Sequence, residues 1–209
     1  MKLYLKMNDS SNVISIYGIT KDPDTNNFMM VIYYSNNGNL RQMLNREFNS
    51  LCWSSKFNIL CHIASGLRSI HEKELTHQDF HSGNILPRTD QFTCITDLGL
   101  CKPVNEKSEN NSKKVYGVLP YVAPEVLRGS KYTQASDIYS FGIVLYEVFN
   151  GFPPYFDMAH DEFLTIKICN GLRPSFNIKV PQLINELYKQ CVDADSLKRP
   201  TADYLRKKL

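Results

Sequence analysis

The distribution of apolar and polar residues predicts a β-hairpin near the start of the chain. Residues 13–17 and 28–34 are rich in β-branched and aromatic side chains, which favour strands. Residues 21–27, which lie between these runs, contain Pro, Asp and Asn, and these residue types favour turns. We therefore predict two strands joined by a turn.

Beyond residue 34 the pattern changes from strand-like to helical. The polar sequence Ser-Asn-Asn-Gly at residues 35–38 predicts a connector, and the clearest helix follows within residues 57–71. Its apolar residues recur at spacings of three and four, which places them on one helical face: Leu60, Ile63, Ala64, Leu67 and Ile70. The predicted fold class is α+β, with the hairpin preceding a larger helical part.

Three further helices are predicted towards the C-terminus. The first takes Ser136 as its N-cap and buries Ile138, Phe141, Leu145 and Val148. The second starts at Pro181, because proline is tolerated in the first helical turn, and buries Leu183, Ile184, Leu187 and Cys191. The third follows Thr201.

Composition indicates an ordinary globular protein and argues against several classes. The 209 residues are 43% apolar, and a net charge of +3 is too small to predict binding to nucleic acid or a membrane. The six cysteines contain no C-x-x-C pair, which indicates reduced thiols. The first residues lack the apolar core of a signal peptide, and no apolar run is long enough to span a membrane. We therefore expect a cytoplasmic protein, with the nucleus as the alternative.

The polar residues with the clearest chemistry lie in residues 76–86 (THQDFHSGNIL) and 95–99 (ITDLG). Phosphoryl transfer from ATP needs a carboxylate beside the attacking hydroxyl and oxygen ligands that hold Mg²⁺ against the phosphates. Asp79 fits the first requirement, and Asn84 and Asp97 fit the second.

These two segments resemble the catalytic loop H-R-D-L-x-x-x-N and the metal-binding D-F-G of protein kinases. Further matches follow in the family's order: APE at residues 123–125, SDIYSFG at 136–142 and KRPT at 198–201. The resemblance covers essentially the whole chain. It implies a protein-kinase-like fold in which residues 1–34 are a small-lobe remnant and residues 35–209 form the hinge and a mainly helical large lobe. It also implies an enzyme that uses ATP and Mg²⁺ to phosphorylate a protein substrate in signal transduction.

The resemblance assigns roles to residues outside the catalytic loop as well. The nucleotide would contact the gatekeeper Ile32, the hinge residues Tyr33, Tyr34 and Ser35, Asn39 beside the ribose, and Leu86 beneath the adenine. Structural support would come from His77, from an ion pair between Glu125 and Arg199, and from Asp137 below the catalytic loop.

Two positions of the catalytic loop are open to more than one interpretation. On the residues alone, His77 is a buried histidine bonded to backbone, a zinc ligand together with His81, or the base of a triad, and the resemblance favours the first. Gln78 replaces an arginine that can pair with a phosphorylated activation segment, and glutamine cannot form that ion pair.

Candidate phosphorylation sites remain at Ser108, Ser112 and Tyr116, and residues 105–114 are predicted to be mobile.

Two features of the family are missing from the sequence, namely a G-x-G-x-x-G before the hairpin and a V-A-I-K lysine. We expect a kinase domain that is incomplete at its N-terminus, and the alternative is a pseudokinase that serves as a protein-interaction module. Residues 117–125 (GVLPYVAPE) resemble the Ser/Thr or tyrosine-kinase-like pattern more than the tyrosine-specific one, so Ser/Thr specificity is expected. His81 and Val118 replace the lysine and threonine usual in Ser/Thr kinases, and Tyr specificity therefore stays open. A bare strand edge predicts self-association or a mobile segment 1–34.

Overall fold

The computed structural model describes residue 7 and residues 10–89, 92–104 and 116–209. Segment 105–114 and the candidate sites Ser108 and Ser112 lie outside these ranges. The described strands form three antiparallel pairs: β1 (Ile16–Lys21) with β2 (Phe28–Ile32), β3 (Leu75–Thr76) with β6 (Lys102–Pro103), and β4 (Ile85–Thr89) with β5 (Phe92–Ile95). The described helices are α1 (Leu40–Glu47), α2 (Trp53–Glu72), α3 (Pro124–Leu127), α4 (Gln134–Asn150), α5 (Glu162–Cys169), α6 (Gln182–Cys191) and α7 (Ala202–Lys208). This arrangement confirms the α+β class.

The predicted hairpin is present, but its predicted limits are wrong. Val13 forms a parallel bridge with Ile95 of β5, and the amide of Ile14 donates to the Ile95 carbonyl at 2.8 Å. β1 therefore begins only at Ile16, after the chain has left β5. β2 ends at Ile32, and all five of its residues are exposed.

Helix α2 buries the face that its periodicity predicted. Each of the five predicted residues is fully buried: Leu60, Ile63, Ala64, Leu67 and Ile70. A side chain at Gly66 would place its Cβ 2.4 Å from the carbonyl oxygen of Asn12. Glycine at this position therefore lets the N-terminal segment cross α2 at close range on its way to β5.

Helix α4 forms the centre of the helical part, and it is buried from Ser136 to Asn150. The predicted N-cap, Ser136, is wrong. Thr133 is the N-cap, because its side chain accepts a hydrogen bond from the Ser136 amide (3.2 Å) while the Ser136 hydroxyl accepts from the Thr133 amide (2.9 Å). This reciprocal capping box starts the helix at Gln134, two residues before the buried run begins.

The two C-terminal helices follow the predictions with one exception. Pro181 precedes α6 as its N-cap, and Ile184, Leu187 and Cys191 are buried as predicted. Leu183 was predicted to be buried but is 38% exposed, because the buried positions 184, 187, 188 and 191 define a face that does not include it. Thr201 caps α7 by accepting from the Tyr204 amide at 3.2 Å.

Within the described ranges, no helix is both long and apolar enough to cross a membrane.

All six cysteines are free thiols, as predicted, with Cys52 exposed and Cys94, Cys101 and Cys191 buried.

Candidate active site

The catalytic loop, residues 77–84, runs between β3 and β4 and is held from below by Asp137 in the first turn of α4. The carboxylate of Asp137 accepts from the amides of His77 (2.9 Å) and Gln78 (3.1 Å), and it lies 3.0 Å from Nε2 of His71. Asp137 is only 1% exposed. A buried carboxylate with several donors fixes the path of the loop backbone, since each lost donor would leave a buried polar group unpaired.

His77 uses both ring nitrogens in hydrogen bonds to the backbone. Its Nε2 lies 3.0 Å from the Thr96 carbonyl, and its Nδ1 accepts from the Asp79 amide at 3.3 Å. Burial of the ring lowers the His77 pKa, which keeps the imidazole neutral at pH 7. Neither nitrogen is left for zinc or for a nucleophile, so this geometry favours the first of the three interpretations. Among the described residues, no group of three or more His, Cys, Asp or Glu could hold a metal.

Gln78 adopts a backbone conformation that is rare for a residue with a side chain, with φ of +69°. Its side-chain amide donates to the Thr76 hydroxyl at 3.1 Å. The Gln78 side chain therefore folds back along the loop towards Thr76. It is neutral and adds no charge next to the Asp79 carboxylate.

Asp79 and Asn84 lie together at the centre of the site. The amide nitrogen of Asn84 donates to the Asp79 carbonyl (2.9 Å) and to its Oδ2 (3.1 Å). The other carboxylate oxygen, Oδ1, is buried and accepts no hydrogen bond from the described residues. The neighbouring His81 ring lowers the Asp79 pKa against the opposing effect of burial. Asp79 therefore stays ionised and keeps one oxygen free to receive a proton.

Asp97 approaches from the strand pair on the other side of the loop. The Thr96 amide donates to the Asn84 carbonyl at 2.9 Å, which extends the β4–β5 pairing and places Asp97 one residue beyond Asn84's partner. Asp97 itself is left-handed, with φ of +56°, and its Oδ1 accepts from the Gly99 amide at 3.2 Å. Its exposed carboxylate is available to an ion.

Within the described ranges, no hydrogen bond joins Asp79 to the residues expected to contact the nucleotide. Ile32 ends β2 and is 39% exposed. The Tyr33 hydroxyl donates to the Arg88 carbonyl (3.3 Å), and the Ser35 hydroxyl donates to the Pro87 carbonyl (2.7 Å). These bonds join the segment after β2 to β4, the strand that carries the partly buried Leu86.

Asn39 has a structural task that sequence reasoning missed. It is the N-cap of α1, where its side-chain oxygen accepts from the Gln42 amide at 2.9 Å. A contact with ribose would therefore have to come from the amide nitrogen of Asn39.

Glu125 and Arg199 form a two-pronged ion pair with N···O distances of 2.7 and 2.8 Å. The Arg199 side chain is fully buried and also donates to the carbonyls of Ala135 and Asp193. The pair joins α3 to the turn before α7, which fits the supporting role expected from the resemblance.

A buried network around Glu147 was missed. Glu147 of α4 is fully buried, and its carboxylate accepts from the hydroxyls of Ser82 and Tyr121, each at 2.7 Å. Arg41 of α1 forms an ion pair with the same carboxylate. One signal was available in the sequence: Glu147 is the single charged residue in the otherwise apolar run of residues 141–149.

The cleft beside Asp79 is lined by the catalytic loop, by residues 117–123 and by α4. A larger groove of about 650 Å³ lies between residues 173–180 and α6 and shares none of these residues. We take the first cleft as the candidate active site because it contains Asp79, whose Oδ1 is not bonded by any described residue. The larger volume of the second groove is not evidence for catalysis.

Comparison with known proteins agrees with this geometry. The family description "Protein tyrosine and serine/threonine kinase" matches residues 2–209. The chain belongs to the protein kinase family. It is 32% identical over 205 residues to the Dictyostelium discoideum protein named "Probable serine/threonine-protein kinase roco5", covering 91% of this chain and 7% of that protein.

Two further kinase relatives show the same relationship. An Arabidopsis thaliana "Protein kinase and PP2C-like domain-containing protein" is 30% identical, with 85% of this chain and 32% of that protein covered. The "Ankyrin repeat-containing protein kinase A" of Dictyostelium discoideum is 26% identical, with 93% and 14% covered. The kinase chain thus spans between 7% and 32% of the length of these relatives.

Proposed function

We propose that this kinase-family chain transfers a phosphoryl group from ATP to a hydroxyl of a protein substrate, with Asp79 as the base that receives the hydroxyl proton. The observation that supports this proposal is the arrangement of Asp79. One oxygen is bonded to Asn84, the other is buried and free, and a cleft opens beside it. An ionised carboxylate with an oxygen that no described residue bonds can accept a proton as the bond to phosphorus forms, once the substrate hydroxyl reaches that oxygen.

ATP and Mg²⁺ are the cofactors implied by the family, and the available atoms fit a magnesium site. The side-chain nitrogen of Asn84 donates to Asp79, which leaves the side-chain oxygen Oδ1 of Asn84 as the ligand. Asp97 offers an exposed carboxylate, and Mg²⁺ prefers hard oxygen ligands of these two kinds. Mg²⁺ would neutralise phosphate charge, while Ile32, Tyr33, Ser35, Asn39 and Leu86 would bind the nucleoside part.

We propose Ser/Thr side chains as acceptors and signal transduction in the cytoplasm as the setting. Support for the acceptor class comes from relatives whose names include serine/threonine-protein kinase, such as the roco5 protein.

We also propose that the hairpin serves as the small-lobe side of the nucleotide site, with residues 35–209 as hinge and large lobe. The same hairpin offers a route to self-association, since β2 pairs only with β1 among the described strands and is exposed along its length.

A phosphate-transfer assay on a generic Ser/Thr substrate tests the function. We expect Asp79→Asn to lower kcat more than about 100-fold while leaving the unfolding temperature nearly unchanged, because loss of a general base costs about 10²–10⁴-fold. Asp157→Asn, at an exposed acid outside the site, is the matched control. Equal transfer by wild type and Asp79→Asn would contradict the proposal and favour a protein-interaction module.

A further inference from the structure

His81, which stands two residues after Asp79, has an unusually constrained ring. Its Nδ1 accepts a hydrogen bond from the Gly83 amide at 3.0 Å. An imidazole nitrogen that accepts cannot carry the proton, so the neutral ring is protonated on Nε2. That Nε2 lies 3.5 Å from Oδ1 of Asp79, which is the same oxygen that has no hydrogen bond.

Gly83 makes this ring position available. A Cβ on residue 83 would lie 2.7 Å from Cε1 and 2.8 Å from Nδ1 of His81, closer than atoms tolerate. Gly83 therefore contributes both an amide that fixes the tautomer and an empty volume that admits the ring. Any side chain at residue 83 would push the imidazole from its place.

Gly117 also lies close to Asp79. A Cβ on Gly117, whose φ is +97°, would lie 3.2 Å from Oδ1 of Asp79. Glycine at residue 117 thus leaves room beside this oxygen, and within the described ranges the His81 Nε2–H is directed to it from 3.5 Å.

We propose that His81 is a positioning residue that holds the Asp79 carboxylate for proton acceptance, with Gly83 fixing its tautomer and place. The inference rests on the proposed function for its consequence in turnover. The separation of 3.5 Å exceeds that of a formed hydrogen bond, and catalytic contacts in ligand-free structures commonly shorten only once the substrate is bound. A ring that merely stabilised the loop would need the Gly83 bond alone.

Three variants separate positioning from loop stability. His81→Phe keeps a ring but removes the donor, and His81→Gln keeps a donor near the same place. Gly83→Ala keeps His81 but displaces it. We expect His81→Phe and Gly83→Ala to lower kcat about 10- to 100-fold, the range in which misplacement by ~1 Å falls, with KM for the protein substrate nearly unchanged. His81→Gln should recover part of the loss.

A matched control comes from the same chain. His160→Phe changes an exposed histidine outside the site. It should keep wild-type kcat. Unchanged kcat in His81→Phe, or equal losses in His81→Phe and His81→Gln with a matching fall in unfolding temperature, would overturn the proposal.

A second readout needs no turnover. In ¹⁵N-histidine NMR spectra of the 209-residue chain, with the His81 signal assigned through His81→Phe, we expect the Nε2–H tautomer in wild type and a tautomer mixture in Gly83→Ala. An Nδ1–H tautomer in wild type would overturn the inference. Wild type could show the expected tautomer and yet be no more active than Asp79→Asn. That result would support the contact between His81 and Asp79 and contradict the proposed function.

Discussion

The β1–β2 hairpin and the catalytic loop are both short segments outside the large helices, yet they are held in opposite ways. Every residue of β2 is exposed, and the hairpin makes its backbone bonds mainly to itself. In the catalytic loop, the amides of His77 and Gln78 donate to the buried carboxylate of Asp137. The His77 ring is hydrogen-bonded to the Thr96 carbonyl. The catalytic loop is therefore anchored to the helical core, whereas the hairpin is fixed mainly by its own strand pairing.

The strongest test of this comparison removes the anchor of the loop. Asp137→Ala should lower the free energy of unfolding by about 4 kcal/mol, because two buried amides each lose an acceptor at a cost of about 1–3 kcal/mol. Urea unfolding followed by circular dichroism measures this change. Asp137→Asn keeps one acceptor oxygen and should lose less. A loss below about 1 kcal/mol in Asp137→Ala would show that the loop does not depend on α4.

A smaller loss is expected at the ion pair between Glu125 and Arg199. Glu125→Ala strands the buried guanidinium of Arg199, but Glu125 is itself 21% exposed and partly screened by water. We expect a loss of about 2–3 kcal/mol, below the 3–5 kcal/mol typical of a fully buried pair. Glu162→Ala, at an exposed acid in the first turn of α5, is the control and should cost no more than about 0.3–1 kcal/mol, which is typical of an acid at a helix N-terminus. Equal free energies of unfolding in the two variants would show that the ion pair does not stabilise the fold.

One substitution made in both regions compares them directly. Ile143→Val in α4 deletes a methylene from a fully buried side chain and should cost about 1 kcal/mol. Ile19→Val in β1 makes the same deletion at a side chain that is 46% exposed and should cost less than about 0.5 kcal/mol. Equal losses would show that the hairpin is packed as tightly as the core.

Thiol chemistry compares the catalytic loop with an exposed position at the start of α2. Cys52 is exposed, and hydrogen bonds from the Ser54 and Ser55 hydroxyls lower its pKa to about 7. Its alkylation rate should therefore rise with pH and level off above pH ~7, where an ordinary thiol of pKa ~8.5 is still accelerating. Ser54→Ala and Ser55→Ala should move the plateau to higher pH. A profile unchanged in both variants would contradict the assigned cause.

The buried thiol of Cys101 reports on the catalytic loop in the same experiment. Cys101 donates to the His77 carbonyl, and burial raises its pKa. We expect labelling of Cys101 to be the slower reaction and to accelerate selectively in Asp137→Ala, because opening the loop exposes it. Mass spectrometry of the labelled peptides measures both rates. Labelling of Cys101 as fast as that of Cys52 in wild type would contradict a firmly held loop.

Sequence reasoning predicted the buried face of α2 and the candidate site residues, but not all of the contacts that these residues make. The face of α2 and the motif around Asp79 were readable because periodicity and residue spacing are local properties. The start of α4 was misplaced because Thr133 and Ser136 both suit a cap, and only the backbone conformation distinguishes them. The Val13–Ile95 bridge and the ion pair of Arg41 with Glu147 join residues far apart in the chain, so no local pattern encodes them.

The attachment of the N-terminal segment to β5 has a mechanical consequence. The Ile14 amide donates to the Ile95 carbonyl, and the Ile95 amide donates back to the Asn12 carbonyl at 2.9 Å. Asp97 lies two residues beyond that junction. A pulling force applied along residues 10–14 is therefore transmitted to β5 by these two bonds and by the bond from the Asn12 side-chain amide to the Thr93 carbonyl (3.1 Å), and β5 is the strand that leads to Asp97.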